Sequence, residues 1–305
     1  MAGKPGHGEG ERVRAEGTTL GPIIGVLFDG FAYGMLLFLL SVGLSVTLGM
    51  MNFVNLAHCS LAMVGGYATV SLTNDYGWPF LATLPVAFVA AGVVSIALER
   101  TLYRRLYRAT DLDQCLLTIG IVFVSVAVAA YFYGTIQQPI RIPSYLKGSI
   151  AIGSMNLGAY RLFLIAVSLV VTIALILALE YTRFGAQVRA AVDNQRMARG
   201  LGINVDTAFA ITFALGGGLA GLGGALAIEM VGLDPAFAFT YLIYVLIVVS
   251  LGGLGSIGGS FAAAVVLGLS DMAGKYYFPG LGAFVIYFVM VVLLMWRPAG
   301  LFGKR

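Results

Sequence analysis

From Pro22 to Met51 the chain carries one charged side chain, Asp29, in an otherwise apolar and small-residue run. A helix needs about 20 mainly apolar residues to cross the roughly 30 Å hydrocarbon layer of a membrane. The first such run, Ile23–Gly49, is long enough, and comparable runs recur. They lie at Pro79–Leu98, Leu116–Tyr133, Leu162–Leu179, Ala208–Val231, Tyr241–Leu254 with its continuation, and Leu281–Trp296. Two shorter or glycine-broken stretches, Ala57–Leu72 and Phe261–Ala273, read either as full spans or as half-helices. The expected fold is therefore an all-α polytopic membrane protein with about eight or nine transmembrane segments, broken or re-entrant helices and a weak internal repeat. Residues 1–21 read as a polar, disordered tail, and 22–305 as one transmembrane domain.

The charge pattern agrees. Charged residues make up 10% of the chain, where a soluble domain would carry about a quarter. Of the 18 Lys and Arg, 11 fall in Arg100–Arg108, Arg183–Arg199 and Arg297–Arg305. That clustering is the positive-inside pattern and places all three segments in the cytoplasm. The net charge of +4 is thus an orientation signal and not a nucleic-acid surface. Gly134–Tyr160, poor in charge, should lie outside. The side of the N-terminus stays open: outside if Ala57–Leu72 crosses fully, inside if it re-enters. Cys59 and Cys115 both sit in apolar segments and read as small buried side chains rather than a disulfide framework.

Two interruptions stand out. LGMMNFVNLAHCSLAMVGGY (Leu48–Tyr67) and LGGLGSIGGSFAAAVVLG (Leu251–Gly268) share a leading Leu-Gly, an irregular stretch, then Ser, an apolar residue and Ala. Paired interruptions of this kind point to a transport site. Lipid cannot satisfy the backbone groups that a broken helix exposes, so a break must face protein, solute or water. The first carries Asn52, Asn55, His58, Cys59 and Ser60; the second carries Gly252, Gly253, Gly255 and Ser256. Uncharged hydrogen-bonding groups suit the passage of a small polar or zwitterionic solute. Asn and Ser also cap helices readily, and one residue can do both. In Ala208–Val231, Gly216, Ala220 and Gly224 form one helical stripe and Gly217 and Gly221 the next. Such stripes let spans pack closely.

Several function classes are excluded by what is missing. The nearest approach to a phosphate-binding loop, Gly274-Lys275, continues into Tyr276 and lacks the upstream glycine. His58 and Cys59 have no companions at metal-ligand spacing. Asp29, Glu229 and Asp271 are the charges nearest the spans, and they form no conspicuous midplane pair of the kind proton-coupled carriers keep. The chain reads as a solute conduit that performs no chemistry. Between two apolar spans lies Arg183–Asp206, with four arginines, a segment suited to docking a soluble protein.

Five blocks, in order, resemble permease subunits of branched-chain amino acid ABC importers, the LivH type. They are MNFVNLAHCSLAMVGGY, ERTLYRRLYRATDLDQCLLTIGI, RFGAQVRAAVDNQRMARGLGIN, SLGGLGSIGGSF and RPAGLFG. The resemblance covers nearly all of the chain from residue 22 onward. Cys59 departs from the family's usual Gly after His58, and Gly66 stands where Ala usually precedes Tyr67. The resemblance implies a multi-pass subunit of the bacterial inner (plasma) membrane with no cofactor of its own. Two ABC ATPase subunits would use the ATP, beside a second related permease, an extracytoplasmic solute-binding protein and surrounding lipid. It implies that 183–206 couples to an ATPase through Gly185, Arg189, Ala190, Asn194, Ala198, Gly202 and Ile203. The solute expected is a branched-chain or other hydrophobic amino acid. The same architecture carrying urea or short amides, and a self-contained secondary transporter, are the alternatives.

Overall fold

The computed structural model describes residues 8–51, 53–107, 109–152, 155–298 and 300–302. Asn52, the start of the polar tail and the last three residues lie outside them.

The helices run in alternation between two ends of the molecule. At the first end α1 (Gly8–Met51) hands over to α2 (His58–Asn74), and α3 (Phe80–Thr101) passes through the 3-10 turn Tyr103–Leu106 into α4 (Asp111–Tyr133). Phe53 packs on Tyr103 there, with ring centroids 5.0 Å apart. At the opposite end the Asn74 side chain donates to the Pro139 carbonyl at 2.8 Å. A short helix α5 (Ser144–Lys147) and a hairpin of β1 (Ser149–Ile152) and β2 (Met155–Gly158) also occupy that end. Helix α6 (Ala159–Glu180) returns the chain to the first end, where two short helices, α7 (Arg183–Asp193) and α8 (Gln195–Gly200), lie. The rest is α9 (Val205–Val231), α10 (Phe237–Gly252), α11 (Ile257–Tyr277) and α12 (Gly282–Trp296).

Among the described residues six helices are long and apolar enough to cross a membrane: Pro22–Gly49 of α1, and α3, α4, α6, α9 and α11. Helices α10 and α12 are apolar but shorter. The stretches Ala57–Leu72 and Phe261–Ala273 fall in unbroken helices, α2 from His58 onward and α11, of which α11 is long and apolar enough to cross. Their glycines are spent on close contacts with neighbouring helices rather than on breaking the chain. Helix α4 begins earlier than the apolar run suggests. The Thr110 hydroxyl accepts from the Asp113 N–H at 3.3 Å while the Asp113 carboxylate accepts from the Thr110 N–H at 3.2 Å. This reciprocal cap starts the helix at Asp111.

Helix α9 is the hub, buried along almost its whole length and packed on α1, α2 and α3. Both glycine stripes are used. A methyl group at Gly216 would lie 2.9 Å from the Gly43 carbonyl oxygen of α1, and one at Gly224 2.9 Å from Ala62 Cα of α2. On the next stripe, one at Gly221 would lie 2.7 Å from the Ala87 carbonyl oxygen of α3. Apolar side chains lose no water by packing against each other instead of lipid, so close backbone approach supplies the association. The Ser95 hydroxyl adds a 2.7 Å bond to the Phe213 carbonyl. Two of the three charges near the spans are paired, Asp29 with Arg161 and buried Asp271 with Lys275 at 2.6 Å, while Glu229 is exposed.

Candidate functional site

The first interruption is held inside protein. Asn55, 1% exposed, uses one side-chain oxygen twice. It accepts from its own Ala57 N–H at 3.1 Å and from the Tyr103 hydroxyl at 3.3 Å. The Val54 N–H donates to the Gln114 side-chain oxygen at 2.9 Å, and the Gln114 amide donates onward to the Leu106 carbonyl at 3.2 Å. Asn55 therefore fastens the break to the Tyr103–Leu106 turn instead of capping α2, whose first turn has no side-chain cap.

His58 opens α2, with Nε2 3.0 Å from the Leu40 carbonyl. A carbonyl can only accept, so Nε2 carries the proton and the ring is a structural donor to α1. Cys59 is buried in the main apolar core. The Ser60 hydroxyl meets Ser125 of α4 at 2.7 Å and lines a cavity between the two helices.

The second interruption is a turn followed by a cap. Gly253 and Gly255 have φ of 89° and 79°, a region that glycine enters without a steric penalty. The Ser256 hydroxyl accepts from the Gly259 N–H at 3.0 Å and caps α11. Gly252 lies against the start of α11, where a methyl would come within 2.7 Å of Ser260 Cα. The chain's end closes over this turn: the Leu301 N–H donates to the Leu251 carbonyl at 2.6 Å. A methyl at Gly255 would lie 2.8 Å from Gly49 Cα. Both interruptions thus meet at the last turn of α1.

The segment 183–206 reaches the same place. Thr182 caps α7 by accepting from the Gly185 N–H at 3.3 Å, and Asn194 caps α8 by accepting from the Met197 N–H at 3.0 Å. Gly185 sits where a methyl would come 2.8 Å from Leu179 Cα, and Arg189 donates to the Leu179 carbonyl. These contacts fold α7 back on the end of α6. Gly202 turns the chain at φ 84°, and the Ile203 N–H bonds the Ala198 carbonyl at 3.0 Å. Ala190 is half-buried and Asn194 exposed. Ala198 does not face outward: with Ala191 it packs on Val205 and Phe209 of α9, beside Met51 and Tyr107.

Aromatic rings carry that packing to the break. Phe209 meets Tyr107 edge-on at 5.7 Å, and Tyr107 meets Phe53 at 5.9 Å. Phe53 also packs on Phe213 at 5.7 Å. The Tyr107 hydroxyl donates to Glu99 at 2.6 Å. Burial and that carboxylate hold the phenol's pKa well above its ordinary 10.0. Outside the wall, Asp206 pairs with both Arg104 and Arg199. The first arginine-rich loop, the segment 183–206 and the first interruption form one assembly.

Sequence reasoning missed Tyr103, Tyr107 and Gln114, whose partners lie far away in the chain. It also missed Met197 and Leu201, exposed at 65% and 78%. Two large apolar side chains on so polar a segment were the available signal.

The family model described as branched-chain amino acid transport system / permease component matches residues 26–294. The chain is 29% identical to the high-affinity branched-chain amino acid transport system permease protein LivH of Escherichia coli K12. That match covers 91% of this chain and 94% of LivH. It is 27% identical to the corresponding protein BraD of Pseudomonas aeruginosa, covering 91% and 95%. It is 29% identical to a probable branched-chain amino acid transport permease LivH of Methanocaldococcus jannaschii, covering 91% and 92%. No solved structure matches the chain. With a family model spanning most of its length and relatives aligned end to end, the chain belongs to the family of branched-chain amino acid transport permease components.

Proposed function

We propose that this chain is the membrane-spanning permease subunit of an ABC importer for branched-chain or other hydrophobic amino acids. Solute arrives from an extracytoplasmic binding protein, and two separate ATPase subunits supply the energy. A second, related permease completes the pathway in the bacterial inner (plasma) membrane. The chain itself needs no bound cofactor.

One observation carries this reading: α7–α8 presents Arg196, Met197 and Leu201 outward and, through Ala191 and Ala198, shares a packed wall with the first interruption. A push on the exposed side is thereby conveyed to the end of α1 and the start of α2. Packed interiors shift as units and not by gradual deformation. The arginine-bearing end faces the cytoplasm. Nine helices (α1 to α4, α6 and α9 to α12) then cross, and the N-terminal end of α1 lies outside. At 1.5 Å per residue, α10 and α12 span about 24 and 22 Å, so the bilayer thins locally or flanking residues reach out to its surface.

The test is mild-detergent purification of the tagged chain from its own host, with mass spectrometry of stoichiometric companions. Two Walker-motif ATPases and a second polytopic protein are expected. A chain that purifies alone and moves leucine in vesicles on an ion gradient without ATP would overturn the reading.

A further inference from the structure

Two apolar clusters lie side by side at the arginine-bearing end. Ala191, Ala198, Val205 and Phe209 form one, behind the exposed Met197 and Leu201 of α8. Phe53, Tyr103 and Phe213 form the other, at the first interruption. Among the described residues only Met51 and Tyr107 pack on both. Methionine is unbranched and adapts to its surroundings, so Tyr107 is the rigid side chain of the joint. Its ring stands edge-on to Phe209 at 5.7 Å and to Phe53 at 5.9 Å. The residue is half-buried and follows the 3-10 turn, outside any helix. Packing alone therefore leaves the ring room to swing outward.

Glu99 closes off that freedom. The Tyr107 hydroxyl donates to its carboxylate at 2.6 Å, within the range of about 2.5–2.7 Å for charge-assisted bonds between oxygens. Glu99 is 2% exposed and lies in the last turn of α3, where the helix dipole disfavours negative charge. Among the described residues no cation pairs with it, and Arg104 and Arg199 both go to Asp206. Burial, dipole and missing cation all count against a carboxylate here, and a leucine would fill the space without those costs. What the carboxylate adds is a bond to the phenol about twice as strong as a neutral one. One ring is thus held in place at a cost in local stability.

We propose that Glu99 is a positioning residue for transport. It holds the Tyr107 ring between Phe209 and Phe53, so that a displacement of α7–α8 by an ATPase reaches the end of α1 and the start of α2 instead of being absorbed in the joint. Helix α3, packed along the α9 hub, is the fixed post from which Glu99 acts. The proposal rests on the importer reading above.

The complete transporter, with its binding protein and ATPases, is reconstituted in vesicles, and leucine imported per ATP hydrolysed is measured. A hydrogen bond to a charged group shifts a two-state balance about 12-fold or more, and a neutral one about 2- to 12-fold. Tyr107→Phe and Glu99→Leu should therefore lower the ratio severalfold and to the same degree, with the ATPases still bound and hydrolysing. Glu99→Gln, whose amide oxygen still accepts from the phenol, should fall between them and wild type. The double variant Tyr107→Phe/Glu99→Leu should be no worse than either single one. A purely structural Glu99 would lower the melting point and the yield of complex but leave the ratio unchanged. A wild-type ratio in assembled Tyr107→Phe overturns the proposal, and so does a double variant whose losses add. Where Glu99→Leu or Tyr107→Phe fails to fold, a wild-type ratio in Glu99→Gln does the same. If the unsubstituted transporter imports no leucine with ATP, the importer reading falls and this proposal with it.

Discussion

The Tyr103 hydroxyl donates to the Asn55 side-chain oxygen at 3.3 Å, joining the turn between α3 and α4 to the break between α1 and α2. Both residues are buried and lie 48 positions apart in the chain. Because the same oxygen also accepts from Ala57, Asn55→Ala strands two buried donors, whereas Tyr103→Phe removes one bond and strands nothing on Ala57. Leaving a buried polar group unpaired costs about 1–3 kcal/mol, against roughly 0.5–1.5 for a bond lost cleanly. Thermal unfolding in detergent should rank wild type, Tyr103→Phe and Asn55→Ala in falling order. Equal midpoints for the two variants would refute the double role of Asn55.

Asp206 bridges Arg104 and Arg199 on an exposed surface. Such pairs contribute about 0–1 kcal/mol to stability, so Asp206→Arg should unfold within a few degrees of wild type. Its effect should fall on coupling, with ATP-driven uptake reduced severalfold. The exchange Arg104→Asp with Asp206→Arg should restore uptake in part. No recovery in the double variant would mean that the pair does not hold the two segments together.

Tyr107 gives a pH prediction. Its folded pKa is raised above the ordinary 10.0 by burial and by Glu99. A group raised in this way adds stability that is fully present below the unfolded pKa of about 10 and is lost as pH climbs beyond it. Unfolding midpoints should be insensitive to this group up to about pH 9 and fall above pH 10. Tyr107→Phe should flatten that alkaline fall, and an unchanged alkaline slope in the variant would contradict the assignment.

At the hub, Gly216→Leu must push α9 away from Gly43 of α1, where even a methyl carbon would sit 2.9 Å from a carbonyl oxygen. Overpacking costs about 1–3 kcal/mol where the surroundings can give, and two backbones give little. The variant should insert yet lose its monodisperse peak on gel filtration. A profile and melting point like wild type would show that the helices are less closely packed.

Much of this was legible in the sequence, for identifiable reasons. Long apolar runs announce spans because lipid demands them, and small residues four apart announce helix contacts, as Gly216 and Gly224 proved to be. The interruptions at Asn55 and Gly253 were visible as polar or glycine-rich gaps. Their partners were not, because the Asn55–Tyr103 bond joins segments that no local pattern connects. Reading Phe261–Ala273 as a possible half-helix gave too much weight to glycine. In α2 and α11 those residues serve close packing, and the helices run on. In α8, a helix of six residues, periodicity is too short to separate the inward Ala198 from the outward Met197.

The most direct test is leucine uptake by the reconstituted complex, comparing wild type with Met197→Asp/Leu201→Asp. Both positions are exposed, so the double variant should insert and fold as wild type does. Uptake by wild type should require ATP, and the variant should lose both uptake and retention of the ATPases on purification. Full ATP-driven uptake by the variant would show that α8 is not where force enters the chain.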